Sequence, residues 1–179
     1  MTRAAAMTAQ AAGEAERLVM SETEFSDFYT ATARPLKSYL VRITSNATLA
    51  DDLLQESYYR FLRAEVALSD TSQRRNYLFK IATNLARDHY RSKKFQGEEL
   101  PESLSTASFG EDAQRSADVE RVLGQIPRRE RELVWLAYVE GASHREIAAI
   151  TGLKEASVRP VLFRIRQKLA GLLRPGRAQ

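Results

Sequence analysis

Between Ser143 and Lys168 the chain reads SHREIAAITGLKEASVRPVLFRIRQK, and its chemistry lies in the arginines. Val158, Leu162, Ile165 and Leu169 recur at intervals of four, three and four, which predicts one buried helical face. Arg159, Phe163, Arg164, Arg166 and Lys168 fall largely outside that stripe. Upstream, Ser143-x-x-Glu146 is a capping box in which each side chain satisfies an orphan backbone donor of the other residue. Ile147, Ala148 and Ile150 follow as apolar positions, and Gly152 sits where the helix must stop and turn. Two short helices with a tight turn and a basic outer face on the second form a helix-turn-helix, a device that can enter a DNA major groove.

Two further stretches carry polar faces. In NYLFKIATNLARDHYR, the residues Leu78, Ile81, Ala82, Leu85 and His89 predict a buried stripe, while Lys80, Asn84, Arg87 and Arg91 share the other side. A cationic ridge with a central asparagine, beside Tyr77 and Tyr90, can neutralise phosphates and stack bases. In ADDLLQESYYRFLR, the residues Leu54, Tyr58, Phe61 and Leu62 face one way, and Asp52, Gln55, Glu56, Tyr59 and Arg63 the other. Catalytic constellations are missing: His89 and His144 lie in different halves, and there is no HExxH, phosphate-binding glycine loop or nucleophile elbow. His89 reads as a packed histidine and Trp135, within LVWLAYV, as core.

Charge is distributed in blocks. Arg74 to Lys94 carries seven basic residues against Asp88, Phe95 to Glu120 seven acids against Arg115, and Arg128 onward eleven basic residues against five acidic ones. Two cationic blocks around an acidic connector suggest two nucleic-acid contacts on one chain. The absence of cysteine rules out a disulfide framework, Cys-ligated zinc and a thiol nucleophile. No apolar run approaches the length of a membrane span, and the alanine-rich start is interrupted by Glu14 and Glu16, unlike a signal peptide.

Helical periodicity dominates, so an all-α protein is expected. Phe25 to Thr44, Thr48 to Arg63 and Asn76 to Arg91 read as helices, with Glu65 to Arg75 a polar loop. Lys94 to Ser116, rich in acids, Ser/Thr, Gly and Pro, reads as a linker. Ala117 to Ile126, Arg128 to Val139 and the helix-turn-helix follow, with Pro127 opening the second of these. The expected layout is a tail (1–20), a first helical domain (21–94), a flexible acidic linker (95–116), a second helical domain (117–174) and a short tail (175–179).

In order, DDLLQESYYRFL, NYLFKIATNLARDHYR, IPRRERELVWLAYVEGASHREIAAITG and SVRPVLFRIRQKL resemble the extracytoplasmic-function (ECF) sigma factors, the minimal two-domain members of the sigma-70 family. The resemblance covers Phe25 to Leu173. It implies a cytoplasmic transcription initiation factor, with no catalytic role, cofactor or metal, that binds core RNA polymerase and directs it to −35 and −10 promoter elements. Asp52, Gln55 and Glu56 match the helix that docks on the β′ clamp helices, with the β subunit a further polymerase partner. Asn84 matches the asparagine on the helix that approaches the −10 element, and Glu65 to Arg75 the loop that captures an extruded base. Tyr77 stands where the family often has tryptophan, and Arg74, Arg75, Lys80, Arg87 and Arg91 lie beside it as phosphate contacts. Arg159, Phe163 and Arg164 match positions facing the −35 element, in a recognition helix that also holds Ser157. Ser143, His144 and Arg145 stand where N–H groups at the supporting helix start can hold a backbone phosphate. Pro160 replaces a usual polar residue: a helix capped by Ser157 tolerates it, whereas one starting at Glu155 is expected to kink. The resemblance further implies an anti-sigma factor as partner and no membrane insertion. The competing assignment, a sigma-like decoy that binds an anti-sigma factor without directing transcription, has no use for DNA-facing arginines.

Overall fold

A computed structural model describes residues 20–64, 68, 70–95 and 121–173, and every element assigned among them is helical. The tails and most of the expected linker lie outside the described residues.

Helix α1 (Glu22–Thr44) starts at Ser21, whose hydroxyl accepts from the Glu24 N–H while the Glu24 carboxylate accepts from the Ser21 N–H. This capping box extends the helix three residues before its first apolar position. Pro35 lies inside α1, and the carbonyl it deprives of a partner belongs to solvent-exposed Ala31. The helix ends at Ser45 in a left-handed conformation. Asn46 then caps α2 (Ala47–Leu62) by accepting from the Leu49 N–H at 2.9 Å.

Helix α3 runs Thr71–Phe95, five residues earlier than the apolar period suggests. The Asp70 carboxylate accepts from the Gln73 N–H at 2.8 Å, and this local cap outweighs the polarity of Thr71 to Arg75. Arg74 and Arg75 therefore stand on the opening turns of α3, not on a loop.

These three helices bury Leu36, Tyr39, Leu40, Phe61, Leu78 and Phe79. Phe28 stacks on Phe61 with centroids 5.0 Å apart. The Tyr39 hydroxyl bonds the Thr83 hydroxyl at 2.7 Å, and burial of that phenol pushes its pKa well up.

In the second unit, residues 121–124 are helical, and α4 (Arg128–Val134) follows Pro127. It runs on as a π-helical turn over Trp135–Val139. Helix α5 (His144–Thr151) opens on the expected capping box and ends at Gly152 with φ 75°. Helix α6 (Glu155–Leu173) buries Val158, Leu162 and Ile165, with Leu169 packed behind them, as the period predicts. Apolar side chains of both units join in one cluster, since α1 packs on α4 and α3 on α5.

Candidate nucleic-acid interface

The helix-turn-helix presents its second helix outward. Arg159, Pro160, Phe163 and Arg164 are exposed on α6, and Phe163 keeps 53% of its surface despite being aromatic. Their exposure follows from the stripe opposite, because Val158, Leu162 and Ile165 fix the helix roll by burying themselves. Ser157 lies in the first turn, its N–H bonded to the Lys154 carbonyl at 2.8 Å. The helix thus begins at Glu155, not at a Ser157 cap, and continues through Pro160 without a break in its assignment. The carbonyl of exposed Ala156 loses its helical partner there and is left to water, which accounts for the tolerance. His144 and Arg145 are exposed at the start of α5, and Ser143 is engaged as its cap.

On α2, Asp52 and Gln55 are exposed. Glu56 pairs with Arg60 one turn later at 2.6 Å, an exposed pair that orders the rim and adds little stability. Their roll is set by Leu53, Tyr58 and Phe61, buried on the other side. Phe25, Tyr29 and Tyr58 form an aromatic cluster where α1 meets α2, with Tyr29 and Tyr58 centroids 4.9 Å apart.

The α3 ridge divides into two rows. Lys80, Asn84 and Arg91 are exposed, Arg91 paired with Asp88. Tyr77 is half-buried against Phe61, and Arg74 lies against the Leu68 carbonyl. Arg87, expected beside Asn84 on the open face, turns into the second unit. Its Nη2 donates to the Glu132 carboxylate at 2.5 Å and its Nη1 to the Thr151 carbonyl at 2.7 Å. Arg75 donates to Glu140 and lies over the Phe79 ring at 4.9 Å. Ser72 and Asn76 both donate to the Glu146 carboxylate at 3.0 Å.

The partners in the second unit are placed by local geometry. Glu146 is the capping-box residue of α5, so one oxygen serves the Ser143 N–H and the other faces α3. The Asn76 amide, followed by the Ser143 contacts, holds its pKa down at about 2. Glu140 follows the π turn, in which the Glu140 N–H bonds the Trp135 carbonyl at 3.0 Å. That extra residue per turn returns the Glu140 carboxylate to the Trp135 indole N–H at 2.9 Å. Glu132 has a side chain only 3% exposed, and burial raises its pKa against the opposing pull of Arg87. Trp135, expected in the core, sits instead at the seam, with the Arg42 guanidinium 5.5 Å from its ring centroid. His89 is half-buried, its ring edge-on to Tyr90. Arg128 lies 3.7 Å over the Tyr90 ring.

Sequence reasoning missed Ser72, Asn76, Glu132, Glu140 and Thr151 as a group. Ser72, Asn76, Thr83 and Arg87 do share a helical row, which could have been noticed. The pairing of that row with acids some 45 to 74 residues distant has no local signature.

Taken together, two helical units, one ending in an outward-facing helix-turn-helix and the other carrying a cationic helix beside an acidic rim, define a promoter-recognition class of protein. Comparison with known proteins agrees. Residues 28–96 match the model for sigma-70 region 2, and residues 116–169 that for sigma-70 region 4. The ECF RNA polymerase sigma factor SigM of Bacillus subtilis (strain 168) is 31% identical over 147 residues, covering 77% of this chain and 88% of SigM. The ECF RNA polymerase sigma factor EcfG of Rhodopseudomonas palustris (strain TIE-1) is 28% identical, covering 80% and 81% respectively. The fold is also that of the sigma factor RpoE solved with the anti-sigma factor NepR from Bartonella quintana, with TM-score 0.64 at 20% identity over 87% of this chain and 99% of that one. The chain belongs to the ECF sigma factors of the sigma-70 family.

Proposed function

We infer that the protein binds core RNA polymerase and directs it to promoters carrying −35 and −10 elements, using a different surface for each task. The observation that carries this is the outward placement of Arg159, Phe163 and Arg164 by a buried stripe on the opposite side of α6. The −35 duplex lies against these residues, and the start of α5 at Ser143, His144 and Arg145 holds a backbone phosphate. The −10 strand runs along α3, with Asn84 and Tyr77 at bases and Arg74, Arg75, Lys80, Arg87 and Arg91 at phosphates. The rim of Asp52, Gln55 and Glu56 docks on the β′ clamp helices. Acids facing a basic partner give it orientation as well as attraction.

Opening the −10 region in this scheme requires no hydrolysis and no catalytic group on the chain. Contacts to the unpaired strand offset a cost of about a few kcal/mol per extruded base. Among the described residues no helix is long and apolar enough to cross a membrane. The working compartment is the cytoplasm, where the polymerase is, and an anti-sigma factor is the expected restraining partner.

Abortive transcription on a mixed promoter library, with core RNA polymerase and with or without this protein, tests the assignment. Protein-dependent transcripts sharing two spaced elements are expected. Failure to bind core would refute it.

A further inference from the structure

Along the outward side of α6, Ala156, Pro160 and Phe163 follow one another at i, i+4 and i+7, and all three are exposed. That spacing makes them one row, with exposed Arg159 and Arg166 along one edge and exposed Arg164 along the other. The row runs about 10 Å at the helical rise, or about three base-pair steps. Its side chains hold no hydrogen-bond donor or acceptor, and Pro160 lacks a backbone N–H as well. We propose that this strip reads the C5-methyl groups of pyrimidines in the major groove, so that promoter choice at the −35 element includes a count of methyls. The proposal rests on the assignment of α6 to the −35 duplex.

The major groove distinguishes bases by hydrogen-bonding groups and by one apolar group, the thymine methyl. Arginines at the edges of the strip suit phosphates or guanine edges, whereas the strip between them complements the methyl. Core packing does not account for these residues, because Val158, Leu162 and Ile165 bury the opposite side. Phe163 keeps 53% of its surface in water, and covering it is favourable in proportion to the area removed. Pro160 is the sixth residue of the helix, past the first turn, where proline lowers helix stability and strands the Ala156 carbonyl. A serine there would restore that bond and add a polar group, so what proline supplies is its apolar ring. The cationic edges favour DNA over an apolar peptide as the occupant. Cytosine methylated at C5 presents the same methyl at the same place in the groove. The strip therefore makes this protein responsive to cytosine methylation within the −35 element.

The test uses core RNA polymerase with the full-length protein and a promoter recovered from the mixed library. Templates that differ only within the −35 element compete in one tube, so the ratio of their abortive products is independent of overall activity. Uracil in place of thymine removes only the methyl. About fourfold less product is expected for each thymine in contact, the equivalent of one buried methylene. The same exchange in the spacer should leave the ratio at one. Where a T·A pair is replaced by C·G, giving that cytosine a 5-methyl group should recover about fourfold. Pro160→Ser and Phe163→Ala are each expected to bring both ratios towards one, and both positions are exposed, so no core packing is lost. Equal use of thymine and uracil templates by the unsubstituted protein would overturn the methyl reading while the −35 assignment stands. A uracil penalty that neither substitution lessens would give the methyls to another element. Weaker core binding by the variants, with the penalty intact, would assign the strip to the polymerase. A −35 element without any A·T pair would also overturn the proposal. A library yielding no protein-dependent transcript would sink the sigma assignment and the proposal together.

Discussion

Replacing Arg87 by Ala separates a residue that only contacts DNA from one that also holds the fold. In the free protein Arg87 bonds both Glu132 and the Thr151 carbonyl, and the Glu132 side chain is 3% exposed against 30% for Arg87. Breaking a buried pair by removing one partner costs about 3–5 kcal/mol, because the remaining charge is stranded. Two features reduce that here. Arg87 is partly solvated, and Arg128 and Arg129 still exert a compensating field on Glu132. Glu132 can also shed its charge by protonation, since burial already raises its pKa. A loss of about 2–3 kcal/mol is therefore expected. With a urea slope of about 2 kcal/mol/M, the midpoint would fall by about 1–1.5 M. Trp135 fluorescence follows the transition directly, as the indole lies at the seam. Lys80→Ala, exposed on the same helix, is expected to stay within about 0.5 kcal/mol of the parent. Adding Glu132→Gln to Arg87→Ala should recover part of the loss, with a coupling of about 1–3 kcal/mol. Equal midpoints for Arg87→Ala and Lys80→Ala would refute the reasoning.

Gly152→Ala should cost about 1 kcal/mol in chemical unfolding, through backbone strain alone. Its φ is 75° and a Cβ there meets nothing within 4 Å, so an unchanged midpoint would contradict the left-handed turn. Arg164→Ala should weaken binding to −35 duplex and reduce the slope of log affinity against log salt by about 1, with thermal stability unaltered; unchanged affinity and slope would remove Arg164 from the −35 interface. The pH dependence of Glu146 has a definite sign. Its pKa falls from 4.5 to about 2 in the fold, so its contribution is present above pH 4.5 and lost as pH drops towards 2. The melting-temperature difference between the parent and Glu146→Gln should narrow through that window, and a difference constant with pH would argue against the Asn76 and Ser143 contacts.

The sequence alone determined what short-range geometry controls. The Ser143 to Glu146 box, the Gly152 turn and the roll of α6 are each set within about two helical turns, and each has a residue-type signature. Family membership was legible for the same reason, because ordered local motifs carry it. The same box at Ser21 and Glu24 was available and extends α1, while the Asp70 cap moved the start of α3 into a stretch that looked like loop. Both show a cap outweighing the apolar period at a boundary. Only the tertiary structure decided the fate of Arg75 and Arg87. On sequence Arg87 is one more cation on a basic helix, equivalent to Lys80, and Arg75 closes the loop before it. Their partners Glu140 and Glu132 lie 65 and 45 residues away, and charge has no periodicity that reveals which opposite will meet which. The packing of α1 on α4 and α3 on α5 brings those acids onto one side of α3, leaving Lys80 and Asn84 in solvent and half-burying Arg87.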